Sequence, residues 1–132
     1  MGSIIKNKEF SAGEITAFAL KHFTDKGYCV WRQNNHSTRG RAFTGMKGVS
    51  DIIGWKTEEH LNGTNRPLGD GRFSGTIDVR IFNKAIWVAC EVKKQGDVFK
   101  PEQRKFLQAL KEAGGLSFFA TQILNEIKII EY

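Results

Sequence analysis

The sequence predicts a mixed α/β fold, a sheet flanked by helices, and three observations carry that expectation. Ser11-Ala12-Gly13-Glu14 is a capping box that opens an apolar pattern of helical period. Two β-prone runs on either side of Asn83-Lys84, within residues 77–93, can face each other so that one face is all apolar. Pro101 then starts a second helical pattern that stops at Gly114-Gly115. At 132 residues, 40% of them hydrophobic, the chain has material for one core and is short for two.

In order, Ile15, Phe18, Ala19, His22 and Phe23 recur at helical spacing and Gly27 suits a C-terminal cap, so the first helix is expected from about Ala12 to Lys26. Tyr28-Cys29-Val30-Trp31 is a β-prone run, and the segment Ser50 to Trp55 reads as a second strand. Residues 56–75, rich in Gly, Asn and charge with Pro67, read as a loop or insertion in a single domain spanning 1–132. A two-residue turn at Asn83-Lys84 would pair Phe82 with Ala85, setting Ile77 opposite Cys90, Val79 opposite Val88 and Ile81 opposite Ile86. That register leaves Asp78, Arg80, Trp87, Ala89, Glu91 and Lys93 on the other face. The second helix is expected over Pro101 to Ala113, with Lys100 a weaker N-cap than Ser or Thr. Leu116 to Thr121 reads as a short strand, and Ile123, Ile127 and Ile130 make the tail fit a helix slightly better than a strand.

No apolar run approaches the roughly 20 residues needed to span a bilayer, and residues 1–6 lack the long apolar segment of a secretory signal, so a cytoplasmic protein is expected. Cys29 and Cys90 are far apart and lack metal-ligand spacing; Cys90, in an alternating strand, reads as a buried structural thiol. Lys and Arg exceed Asp and Glu by 20 − 14 = 6. Between Lys26 and Ser50 no acidic residue occurs, while Lys26, Arg32, Arg39, Arg41 and Lys47 do, with Asn34, Asn35 and His36 among them. Such a one-sign stretch is an electrostatic footprint for a polyanion or, read more plainly, a solvated basic loop.

Residues two apart on a strand share a face, so Glu91 and Lys93 project together from a strand whose other face is apolar. Such a pair is costly near the middle of a sheet unless it has a use, although an edge ion pair is a common alternative. Asp51 follows Gly48-Val49-Ser50 at the head of an apolar strand, where an acid either caps a turn or serves a site. If those strands are neighbours, two carboxylates converge. Mg²⁺ wants oxygen ligands and keeps several waters, so two carboxylates with phosphate and water suffice. The metal would polarise a phosphoryl oxygen, and Lys93 would orient the attacking water or offset charge. Gln103 lies on the inward stripe of the second helix, one turn before Phe106, Leu107 and Leu110. It is either part of the site or a first-turn residue open to solvent. Glu14 either serves the capping box alone or also reaches the metal.

These residues resemble the PD-(D/E)XK nuclease superfamily and, within it, the stand-alone VRR-NUC nucleases of phages and bacteria. The resemblance rests on Trp31-Arg32-Gln33-Asn34-Asn35, the run from Lys47 to Gly54, Ala89-Cys90-Glu91-Val92-Lys93, and the run from Lys100 to Leu107 with Ala113-Gly114-Gly115. It implies a restriction-endonuclease-like αβββαβ core. It also implies Asp51 and Glu91 as ligands of Mg²⁺ or Mn²⁺, a catalytic Lys93, and support from Gln103 and Glu14. The expected activity is endonucleolytic hydrolysis of DNA phosphodiesters by a homodimer acting on branched DNA such as four-way junctions. Arg32, Asn34, Arg39, Arg41 and Lys47 would contact that DNA. For a phage-encoded chain the place of action is the host cytoplasm. Two departures stand out. The stretch between Asp51 and Glu91 is long, and Asp78 competes with Asp51 as the metal ligand. A catalytically inactive nucleic-acid-binding module on the same fold, or an enzyme acting on RNA, would use the same residues differently.

Overall fold

The structure is a computed structural model that describes residues 8–33, 47–67, 69, 71 and 73–132, with backbone alone for 62–67 and 73–80. Helix α1 spans Ala12–Asp25. The capping box closes both ways, Ser11 Oγ accepting from Glu14 N at 3.1 Å and Glu14 Oε1 from Ser11 N at 3.3 Å. Two of the orphan donors of the first turn are thereby paired. Strand β1 (Cys29–Arg32), the long strands β2 (Ile52–Pro67) and β3 (Phe73–Lys93), helix α2 (Pro101–Glu112), and strands β4 (Leu116–Ile123) and β5 (Glu126–Glu131) follow. Gln103 Oε1 accepts from Lys100 N at 2.9 Å, half of a capping box, while the Lys100 side chain caps nothing.

The strands form one mixed sheet in the order β1-β2-β3-β4-β5. The first three make an antiparallel meander, α2 carries the chain over to β4 parallel to β3, and β5 turns back antiparallel. The helices cover opposite faces. On one, Ile15, Ala19 and Phe23 of α1 pack against Ile52, Val88, Cys90, Val92 and Ala120, all buried. Burying a side chain such as Phe23 contributes about 2–3 kcal/mol. On the other face Leu107 of α2 is buried, and Ser117 Oγ on β4 donates to its carbonyl at 2.7 Å. Cys90 is a buried free thiol and Cys29 an exposed one.

Three sequence expectations need correction. Residues 56–67 are strand rather than loop, and β3 runs through Asn83-Lys84 without turning. A tight hairpin needs positive φ at its centre, which Asn-Lys supplies poorly. The chain reverses instead between Pro67 and Phe73, where Gly69 and Gly71 have φ of 49° and 85°. The register changes accordingly: Cys90 faces Ile52, Val88 faces Gly54, Ile86 faces Lys56, and Ile77 faces Asn65. Ile81, expected in the core, is 65% exposed. Beyond Trp55 and Trp87 neither β1 nor β4 pairs with this ribbon, which reaches roughly 35 Å further at about 3.3 Å per residue. The tail is strand β5 rather than helix, because Ile127 and Ile129 alternate toward the core and Leu124-Asn125 closes a two-residue hairpin. Among the described residues no helix is long and apolar enough to cross a membrane.

Candidate functional site

Strand parity puts Glu91 and Lys93 on the α2 face of the sheet, since their neighbours Cys90 and Val92 fill the α1 core. Both are nearly sealed from solvent, Glu91 3% and Lys93 7% exposed. Their partners come from three separate segments. Gln103, in the first turn of α2, donates Nε2–H to Glu91 Oε1 at 2.8 Å, and its Oε1 accepts from Lys93 Nζ at 2.7 Å. Because that oxygen also takes the Lys100 N–H, only one orientation of the amide satisfies all three partners. Lys93 Nζ donates further to the Val98 carbonyl at 3.2 Å and lies over the Phe99 ring, 5.1 Å from its centre. The direct Lys93–Glu91 approach is a long 3.9 Å, so the amide of Gln103 sits between acid and amine as a bridge.

Asp51 arrives from the neighbouring strand. Ile52 pairs with Cys90, so Asp51 stands level with Glu91, and its Oδ2 accepts the Val92 backbone N–H at 2.9 Å. The loop before it is held close to α2: Gly48 has φ 84°, and a Cβ there would lie 2.2 Å from the Glu102 carbonyl oxygen. Only glycine fits that approach, which ties the segment carrying Asp51 to the helix turn carrying Gln103.

The electrostatics are those of an acid pair that Lys93 compensates only in part. Among the described residues, Glu91 Oε2 is buried with no hydrogen-bond partner. Burial, then the Asp51 charge, then the hydrogen bond to Asp51 that the protonated form can donate, raise the Glu91 carboxyl to about 8, against smaller lowering effects from Lys93 and Ser50. At neutral pH and without a cation, this geometry holds a proton where a carboxylate would otherwise be.

The remaining sequence candidates divide. Glu14 is engaged by Ser11 and by Lys8, 3.2 Å away, and these hold its carboxyl below the usual range, the Ser11 backbone contributing most. Ser11 and Lys94 do line one shallow depression, so the start of α1 lies beside the end of β3. Among the described residues, however, no group of three or more His, Cys, Asp or Glu side chains converges. Asp78 is removed from the site: it pairs with Thr64, and its position is 91 − 78 = 13 residues from Glu91, roughly 40 Å along the strand. It was set beside Glu91 only by the turn that the chain does not make. Arg32 pairs with Ile52, on the α1 side of the sheet, and is exposed; Lys47 is exposed in the loop before Asp51. Asn34, Arg39 and Arg41 lie outside the described residues.

Sequence reasoning missed the carbonyl of Val98 and the ring of Phe99, which nothing in composition or spacing marks. It also missed Gln122, which accepts the Phe10 N–H at 2.8 Å and donates to the Leu124 carbonyl at 2.8 Å, pinning the segment before α1 to the β4–β5 turn. A buried glutamine amid apolar strand residues was the signal available. No family model matches the chain, and searches of the curated proteins and of the solved structures find no match either.

Proposed function

We propose that the chain is a metal-dependent nuclease that hydrolyses DNA phosphodiester bonds. On this reading it is an endonuclease of the PD-(D/E)XK, VRR-NUC type, acting as a homodimer on branched or otherwise structured DNA. The observation that carries the reading is the acid pair: Asp51, at the head of β2, level with Glu91 on β3, with a buried Glu91 oxygen that has no hydrogen-bond partner among the described residues, beside an amine held by Gln103. An unpartnered buried carboxylate oxygen costs free energy, and a cation is the partner that would offset it.

The donors present suit Mg²⁺ or Mn²⁺. Two carboxylates supply hard oxygen ligands and leave positions for water and a phosphate oxygen. When bound, such an ion polarises the phosphoryl group and makes a water molecule more acidic. The chain's own residues do the rest. Asp51 and Glu91 fix the place of the reaction against a rigid sheet. Lys93, aimed by the Val98 carbonyl, Gln103 and Phe99, places a positive charge where negative charge grows on the phosphate. Gln103 is a positioning residue that keeps the amine from collapsing onto Glu91. The order of helix, antiparallel meander, crossover helix and parallel strand agrees with the core that the resemblance implies.

The test is incubation of the purified protein with linear, single-stranded and four-way-junction DNA in Mg²⁺, Mn²⁺ or EDTA. Metal-dependent cleavage is expected, falling at least a hundredfold in Asp51→Ala, Glu91→Gln and Lys93→Ala and persisting in Asp78→Ala. A folded protein that binds DNA but cuts none of the three substrates with any metal would instead be a non-catalytic binding module. Cleavage confined to the corresponding RNA substrates would move the substrate class.

A further inference from the structure

The α2 face carries a second feature beside the acids. Trp31, Trp55 and Trp87 come from three adjacent strands and form a continuous ladder, with ring centres 5.7 Å and 6.4 Å apart at interplanar angles of 71° and 77°. Trp55 and Trp87 are direct cross-strand partners, and Trp31 pairs with Ile53, so all three share the parity of Glu91 and Lys93. They are 38%, 36% and 54% exposed. Among the described residues, helix α2 packs on β3 and β4 and leaves the three rings exposed. Trp87 lies 91 − 87 = 4 residues from Glu91, roughly 13 Å along the same strand. That is a span of one or two nucleotides.

Cross-strand aromatic packing accounts for the Trp55–Trp87 pair as a brace of the sheet. It does not account for three large indoles left in solvent on the face that holds the acids, where apolar exposure normally marks a contact surface. The charge around the site favours a polyanion: where the Gly48 loop meets α2, exposed Lys47, Lys100 and Arg104 outnumber the exposed Glu102, and the chain carries a net +6. Aromatic rings interleaved with a basic rim are the recurring means of holding single strands, because every base has a face to stack while the cations take the backbone.

We propose that Trp31, Trp55 and Trp87 form a base-stacking platform for an unpaired stretch of nucleic acid whose backbone runs on to Asp51 and Glu91. The inference rests on the nucleic-acid reading of the site and narrows it: the bound substrate has splayed, single-stranded bases next to the phosphodiester at the acids. A uniform duplex would hide its base faces from the indoles. A junction or flap exposes them.

The experiment uses the Glu91→Gln chain, so that no cutting interferes, and follows tryptophan fluorescence on titration with a short oligothymidylate and with an abasic strand of equal length. Base stacking predicts quenching and binding with oligothymidylate. With the abasic strand it predicts little quenching and an affinity at least about tenfold lower, since each stacked base contributes about 1–3 kcal/mol. Trp87→Leu, which keeps apolar bulk, is expected to weaken oligothymidylate binding about tenfold, and Trp87→Phe to restore much of it. Equal binding and quenching by the two strands would overturn the proposal. So would a Trp87→Leu chain that sediments at half the mass of its parent and binds oligothymidylate unchanged, because the ladder would then be covered by a second copy. Failure here is distinct from failure of the nuclease reading. A wild-type chain that cuts fully paired DNA without base-dependent quenching keeps the hydrolysis and loses the platform; one that stacks bases but never cuts keeps the platform and loses the hydrolysis.

Discussion

Replacing Glu91 by glutamine tests the electrostatic account of the site without any substrate. In the unfolded chain this carboxyl titrates near its ordinary value of 4.5, and in the fold at about 8. Because the folded value is raised, the folded state binds the proton more tightly. The associated stability is fully present below about pH 4.5 and is lost as pH rises toward 8. At about 1.4 kcal/mol per pH unit, the 8 − 4.5 = 3.5 unit interval gives a ceiling of ~5 kcal/mol, and relaxation around the buried pair reduces it. Glutamine keeps an oxygen to accept from Gln103 and never ionises. Glu91→Gln is therefore expected to match wild type near pH 4 and to exceed it by several kcal/mol at pH 8–9 in EDTA. Urea melts across that range measure the difference. Mg²⁺ should reverse it, stabilising wild type increasingly with pH and leaving the variant behind. A difference that stays constant from pH 5 to 9 would refute the buried acid pair.

Other expectations follow from single contacts. Gly48→Ala puts a methyl against the Glu102 carbonyl at a positive-φ position, and should cost about 2–4 kcal/mol in a denaturation midpoint while lowering cleavage by displacing Asp51. Gln103→Leu removes the bridge between Glu91 and Lys93, and should reduce kcat at least tenfold with little change in KM, read from steady-state cleavage. Leu124, at φ 56° in the β4–β5 turn, should give about 1 kcal/mol of added stability when replaced by glycine, measured as a rise in Tm. Gln122→Leu leaves the Phe10 N–H and the Leu124 carbonyl without their partner and should cost about 2 kcal/mol.

Much of this was legible in the chain because local chemistry and tertiary packing agree there. The capping box of α1, Pro101 at the head of α2 and the alternation around Glu91 each state their element within a few residues. The pairing of Asp51 with the Glu91 strand could be posed from sequence as a condition, and the register satisfies it. What failed was the hairpin, for a definite reason. Alternation specifies a strand's faces but not its partner, and an all-apolar register across Asn83-Lys84 satisfies it as well as the real one does, although Asn-Lys suits a tight turn poorly. The same error promoted Asp78. The tail misled because three isoleucines fit a helical stripe, whereas burial of Ile127 and Ile129 follows the strand period. The contacts of Lys93 with Val98 and Phe99 depend on how residues 94–100 fold back, and no periodic pattern encodes that.

The ribbon of β2 and β3 beyond Trp55 and Trp87 carries a consequence for how the molecule opens. Inside the five-stranded sheet β2 and β3 have a strand on each side; in the ribbon, among the described residues, they hold only one another. An isolated two-stranded hairpin is marginally stable in water. Protection against hydrogen–deuterium exchange should therefore fall stepwise from Ile52–Cys90 outward through Lys56–Ile86 and His60–Phe82, like a zipper fastened at one end. The aromatic ladder stands where the fastened and the loose parts meet. Anything that seats on those indoles would tighten the first teeth of that zipper, and exchange at Thr57 and Ala85 would register it without any label on the ligand.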